Sequence, residues 1–251
     1  MSGGEWSLVA GALFAAGVVK GAIGFALPIL TVPFLSIFIG PREAVVMMSV
    51  PVLLTNLVNV WMGWGEWRSL GQILPYMATG VAAVPAGVYF LYWGNPEVIR
   101  LILGLLVYVY LAARGFLPPM AALPSPARWG VGAGFGVAAG FLAGMSSVPG
   151  PVTIVYFSMF SWSKEVFIFL INAFNTVSAG ALVSALAWRG SFTASVLLRI
   201  GAGLVPIFLG FWAGVRLRGR LDQALFYRLV RIALFLIATS LVARAGWQLF
   251  V

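Results

Sequence analysis

The sequence predicts an all-α integral membrane protein: a polytopic helical bundle of two inverted repeats, each a broken, re-entrant hairpin followed by three transmembrane helices. Three observations carry this. Of 251 residues, 62% are hydrophobic and 8% charged, with a mean hydropathy of +1.04, outside the range of soluble domains. The apolar residues gather in runs of about 15 to 25 separated by short polar joints, as helices crossing a hydrocarbon core of roughly 30 Å require. The two halves of the chain also match one another, whereas the alternating segments of about ten residues expected of a β-barrel are absent.

In chain order the apolar runs are 6–19, 21–39, 44–63, 71–93, 98–117, 130–145, 148–162, 166–188, 192–215 and 226–241. The segment 6–39 is too long for one crossing of about 20 residues and too short for two crossings and a turn, so it reads as a hairpin broken near Lys20 to Pro28. Its counterpart is 130–162. The run 44–63 follows Pro41-Arg42-Glu43, a helix start, and 166–188 follows the matching Ser163-Lys164-Glu165. Gly21 and Pro28 match Gly144 and Pro151, Trp67-Arg68 match Trp188-Arg189, Gly80 and Pro85 match Gly201 and Pro206, and Arg100 and Arg114 match Arg228 and Arg244. The offset stays nearly constant, which indicates a duplication. Pro118-Pro119-Met120-Ala121-Ala122-Leu123-Pro124-Ser125-Pro126 is a proline-rich joint near the middle, giving a first repeat 1–117, a linker 118–128 and a second repeat 129–251. Trp6, Trp61, Trp64, Trp67, Trp93, Trp129, Trp162, Trp188 and Trp247 lie at run ends, as interfacial anchors do.

Charge orients the bundle. The net charge of +9 is spread over the joints, which fits topology determinants facing anionic headgroups rather than a nucleic-acid partner. With Arg216, Arg218, Arg220, Arg228 and Arg231 on the cytoplasmic side, re-entrant hairpins also put Arg68, Arg114, Arg128 and Lys164 inside. Arg42, Arg100, Arg189, Arg199 and Arg244 then lie outside, a slightly better segregation than full crossings give. Residues 1–7 lack a basic region and a small-residue cleavage site, so no removable signal peptide is expected.

With no cysteine and no histidine, thiol chemistry and the commonest metal and haem ligands are missing; neither a metal nor a cofactor is expected. The six acids, Glu5, Glu43, Glu66, Glu97, Glu165 and Asp222, sit in or beside joints. They do not support a carboxylate proton relay or a paired-carboxylate hydrolase. Surface pairing of Glu43 with Arg42, and of Glu165 with Lys164, is the default reading.

Lys20 stands inside an apolar stretch, where a charge at the bilayer centre costs roughly 2.5 to 3.5 kcal/mol on insertion scales. It is either a snorkelling lysine or an anion-binding cation at a helix break. Gly21, Gly24 and Phe25 beside it, and Pro28 beyond, would open the backbone, and free N–H groups after Gly24 would face the same anion. In the second half Ser146 and Ser147 with Gly150, bounded by Pro149 and Pro151, are either a structural kink or hydroxyl donors for oxyanion oxygens. Asn56 and Asn59 share one helix face, and Asn172, Asn175 and Thr176 another. Such amides are either interhelical glue, about 0.6 kcal/mol each, or substrate contacts.

The stretch Lys20-Gly21-Ala22-Ile23-Gly24-Phe25-Ala26-Leu27-Pro28-Ile29-Leu30-Thr31-Val32-Pro33, followed by Pro41-Arg42-Glu43-Ala44, resembles the TauE/SafE sulfite-exporter family of bacterial membrane transporters. The resemblance runs over nearly the whole chain, although Gly144-Met145-Ser146-Ser147-Val148-Pro149-Gly150 departs from the glycine-rich pattern of the second half. It implies a multi-pass protein of the bacterial inner membrane that moves sulfite, sulfoacetate or a similar small anion.

The sequence-level expectation is therefore a transporter or exporter of a small oxyanion such as sulfite or an organosulfonate, working by alternating access about a site between the repeats. Its partners would be that anion and the lipid bilayer, with a homodimer allowed. The alternatives are an intramembrane enzyme acting on a lipid phosphate, disfavoured by the missing histidines and buried acids, and a non-transporting membrane scaffold.

Overall fold

The computed structural model describes residues 3–112, 119–217, 235, 238–239, 242–243 and 245–248. Among them the chain is all helical, without a strand. The predicted run 226–241 falls largely outside the described residues, as do Arg114, Arg218, Arg220, Arg228, Arg231 and Arg244. The helices are α1 (Gly3–Ile23), α2 (Leu27–Ile39), α3 (Pro41–Met62), α4 (Leu74–Trp93), α5 (Pro96–Ala112), α6 (Ser125–Ser146), α7 (Gly150–Phe157), α8 (Lys164–Trp188) and α9 (Ala194–Leu217). A 3-10 segment, Trp64–Ile73, leads into α4, and a single 3-10 turn, Met120–Ala122, precedes α6. Residues 125–128 of the predicted linker are the first turn of α6.

Among the described residues six segments are long and apolar enough to cross a bilayer: Trp6–Ile23, Pro41–Met62, Trp64–Trp93, Pro126–Ser146, Lys164–Trp188 and Ala194–Leu217. The protein is a multi-pass membrane protein. Trp61, Trp64, Trp67, Trp93, Trp129, Trp188 and Trp247 are exposed, as interfacial anchors should be. Trp162 is half-buried and donates instead to Gln72 Oε1 at 2.7 Å.

Each half opens with a helix, a sharp break and a shorter helix. Gly24 (φ 88°) and Ala26 (φ 82°) separate α1 from α2, and Ser147 (φ 59°) ends α6 before α7. All three lie in the left-handed region, where only glycine is at ease. The two arms on either side of each break are unequal. At about 1.5 Å per residue α1 and α6 reach about 30 Å, α2 about 20 Å and α7 about 12 Å, so the long arm can span and the short one cannot. The prolines act at the start of the second arm rather than as the break. Pro28 and Pro151 occupy the first turns of α2 and α7, and Pro149 immediately precedes α7; a first-turn proline sacrifices no helical hydrogen bond.

The halves interlock. α1 packs along α9 and α4 along α6, while α3 and α8 lie against each other. An added Cβ at Gly21 would overlap the carbonyl oxygen of Phe211, and one at Gly214 that of Val18; in the other pair the same holds for Gly144 against Val84 and Gly87 against Phe141. Small residues of this kind let membrane helices touch backbone to backbone. Gly21 and Gly144, matched in the sequence, thus make the same kind of contact, each with a backbone carbonyl of the facing helix. Gly87 plays the part of Gly214, however, so the alignment of Gly80 with Gly201 slips within this helix pair: Gly80 meets Phe174 and Gly136, and Gly201 meets nothing within 4 Å. Packing therefore joins helices across the sequence halves.

α7 is too short to hold itself, and aromatic packing holds it. Tyr76 of α4 is fully buried, stacks on Tyr156 at 4.8 Å, touches the ring of Phe174 at 4.5 Å and shares a 2.7 Å hydrogen bond with Thr153. Tyr76→Ala should destabilise the protein by about 3–5 kcal/mol, as large-to-small aromatic substitutions do, whereas Tyr76→Phe should lose only about 1 kcal/mol with the hydrogen bond. Thermal unfolding in detergent measures both; equal effects would contradict the packing role.

Candidate functional site

Lys20 lies in the last turn of α1, 1% exposed, where the negative end of the helix dipole favours an ammonium group. Its Nζ donates to Asn56 Oδ1 and, at 2.8 Å, to Asn172 Oδ1. It therefore does not snorkel to an interface. α3 supplies one amide and α8 the other, so the contact between these two helices is what places the ammonium.

The same amides secure the break in the backbone. The carbonyl oxygen of Gly24 accepts from Asn59 Nδ2 at 3.1 Å and from Asn172 Nδ2 at 2.9 Å. Asn172 Nδ2 also reaches Ile168 O at 2.7 Å, and Asn59 Nδ2 lies 3.3 Å from Asn172 Oδ1. A carbonyl released at a helix end inside a membrane needs such partners. Lys20, Gly24, Asn56, Asn59 and Asn172 thus form one buried polar cage, and Phe25, next to Gly24, packs edge-on against Phe167 of α8, ring centroids 6.2 Å apart.

One donor in the cage lacks an acceptor. Asn56 is 1% exposed and its Nδ2 has no hydrogen-bond partner, although its Oδ1 is held by Lys20. One turn along α8, Asn175 Oδ1 and Thr176 Oγ1 are likewise buried without a partner. Each buried unsatisfied group costs about 1–3 kcal/mol. An arrangement that leaves an amide N–H beside an ammonium can accept an anion's oxygen.

The other expected site residues have local structural roles. Gly21 faces α9 in helix packing. Ser146 donates to Leu142 O at 2.7 Å and accepts from Val148 N at 3.2 Å, capping its own helix end. Ser147 takes the left-handed C-cap position, and Gly150 starts α7. What the sequence left unseen is the Gly24 carbonyl: its glycine was visible, but a backbone acceptor has no sequence signature.

A pocket of about 340 Å³ opens beside the cage, lined by Asn59, Gly63, Glu66, Lys164, Glu165 and Ile168 among others. Asn59 belongs to both the pocket wall and the cage. A second pocket of about 340 Å³ includes Arg42, Glu43, Val46 and Met47 at the start of α3, together with residues 191–199 beyond α8. Because α3 ends where α8 begins, the two helices run antiparallel and the pockets lie at opposite ends of the pair. Arg42, Glu43, Val46 and Met47 in the second pocket keep the same spacing as Lys164, Glu165, Ile168 and Phe169 in the first. Glu43 pairs with Arg199 at 3.7 Å, rather than with Arg42 as expected, and Arg42 turns to the Tyr92 carbonyl.

Residues 9–241 match the model of one protein family, described as sulfite exporter TauE/SafE. No curated protein and no solved structure matches the chain.

Proposed function

The chain belongs to the TauE/SafE sulfite-exporter family, a family of membrane transporters, and from that premise we propose that it carries sulfite or an organosulfonate across the bacterial inner membrane by alternating access at the Lys20 cage. The observation that carries this reading is the buried Asn56 Nδ2, an amide donor without an acceptor, on the same side chain whose oxygen holds the Lys20 ammonium. An incoming oxyanion accepts from Asn56 Nδ2 and from the ammonium, both charge-assisted contacts and worth more than neutral ones. Asn59 and Asn172 keep the Gly24 turn in place meanwhile.

The two pockets at opposite ends of α3 and α8 support a site reached from either side, with the repeats 1–117 and 129–251 inverted about it. The glycine contacts weld α1 to α9 and α4 to α6, so these pairs, and not the sequence halves, are the bodies that would rock. Asn175 and Thr176 extend the cage by one turn.

Proteoliposomes loaded with ³⁵S-sulfite test the reading: saturable, protein-dependent flux is expected, and release no faster than from empty lipid vesicles overturns it. Asn56→Leu keeps the branching of the side chain but removes the oxygen that holds Lys20 and the open N–H donor. It should raise the half-saturating sulfite concentration about tenfold, since about 1.5 kcal/mol, the lower end of the range for one hydrogen bond to a charged group, is roughly tenfold in affinity. An unchanged half-saturation would place the substrate elsewhere.

A further inference from the structure

The two mouths at the ends of α3 and α8 differ in charge. Around the pocket that includes Asn59, Lys164 is accompanied by Glu66 and Glu165. The other is lined by Arg42, Tyr92, Ser191, Thr193, Ser195 and Arg199, with Glu43 as its acid. Its cations are held in place. The guanidinium of Arg42 lies over the Tyr92 ring at 4.7 Å from the centroid, and that of Arg189 lies over the same ring, also at 4.7 Å. Arg42 additionally donates to the Tyr92 carbonyl, and the Tyr92 hydroxyl shares a hydrogen bond with Ser191. Stacking of this kind orients a guanidinium and leaves its N–H edge available.

Two guanidiniums, Arg42 and Arg199, line this mouth against one acid, and Arg189 stacks on its Tyr92, which leaves a positive excess there. Glu43 engages Arg199 only at 3.7 Å, with both side chains largely exposed, 63% and 49%, an ion pair worth little in water. The hydroxyls of Thr193 and Ser195, hydrogen-bonded to each other at 3.1 Å, leave one O–H to donate to an anion. A pocket of about 340 Å³ is roomy for a small oxyanion with its water, and planar guanidiniums beside hydroxyls match its oxygens.

We propose that this pocket is a second binding site for a small oxyanion, a recruiting site at one mouth of the pathway, distinct from the Lys20 cage. For the chemistry of its ligand the inference rests on the transport reading above; for its location it rests on the arginines alone. It makes the protein asymmetric. Anions are concentrated at the Arg42 mouth and not at the Glu66 and Glu165 mouth, so half-saturation is lower for substrate arriving from the Arg42 side. The attraction falls with ionic strength, because exposed charges are screened over about 8 Å at physiological salt.

The test is equilibrium binding of ³⁵S-sulfite to protein in zwitterionic nanodiscs, which needs no transport. Wild type should show two classes of site; Lys20→Met should lose one, and Arg42→Gln/Arg199→Gln the other. The single Arg199→Gln change, at an exposed position where folding is not at stake, should weaken the second class about threefold. Loss of that class on adding anionic lipid, with retention in zwitterionic lipid, identifies headgroup phosphate as the occupant of the same oxyanion site. Retention in both assigns it to the soluble anion. Binding by the double arginine variant that is indistinguishable from wild type overturns the proposal. Two-site binding with no flux from any vesicle would reject the transport reading and leave this pocket standing.

Discussion

Lys20→Met is expected to lower sulfite flux in proteoliposomes about ten- to hundredfold while the protein still folds. The ammonium is buried at the end of α1 between Asn56 and Asn172. A hydrogen bond to a charged group contributes about 1.5–3 kcal/mol, which at 1.4 kcal/mol per decade is the stated range. Methionine is close to lysine in volume and carries no charge. Removing a desolvated charge relieves the fold, whereas leaving two amide oxygens without their donor strains it by about 1–3 kcal/mol each. These effects oppose one another, so the melting temperature without sulfite should move little. The upward shift that sulfite gives wild type, by binding the folded state alone, should disappear. Lys20→Arg should not rescue flux, because a planar fork does not fit a cage built for a compact ammonium. Full flux in the methionine variant would remove the ammonium from the mechanism.

How much of this was legible in the sequence depended on whether a side chain announced itself. A lysine among apolar residues, and asparagines three residues apart on apolar helices, are conspicuous because a membrane interior penalises them; the structure brings Lys20, Asn56, Asn59 and Asn172 together. The helix break was legible from Gly24, since few residues but glycine tolerate its φ of 88°. What the sequence did not convey was direction. Serines look like substrate donors wherever they fall, yet Ser146 spends its hydroxyl on Leu142 O. Apolar length alone could not tell equal hairpin arms from a spanning helix followed by a short one, because the position of the break divides the run. The pairing of Glu43 with Arg199 likewise depends on α9 returning beside the start of α3, a tertiary fact.

Gly21 is where the sequence reading and the structure separate most sharply, and the difference can be measured. The sequence placed it beside the anion; the structure places its Cα against the α9 backbone, where a Cβ would overlap the Phe211 carbonyl oxygen and crowd Val215 N. Backbone atoms cannot rotate aside as a flexible side chain can. Gly21→Ala must therefore push α1 from α9 along the whole contact, and overpacking of this kind costs about 1–3 kcal/mol or more. Gly144→Ala, at the equivalent contact of α6 with α4 against Val84 O, should do the same. Gly11→Ala in α1 supplies the contrast: nothing lies within 4 Å of its added methyl, so the only effect is the helical preference for alanine, about 0.5–1 kcal/mol in the stabilising direction. Expression as monodisperse protein and thermal unfolding in detergent are the readouts, with Gly21→Ala and Gly144→Ala low and Gly11→Ala at or above wild type. If instead Gly21→Ala unfolded like wild type and failed only to bind sulfite, the glycine would serve the anion after all, and the α1 to α9 contact could not be the rigid unit about which access alternates.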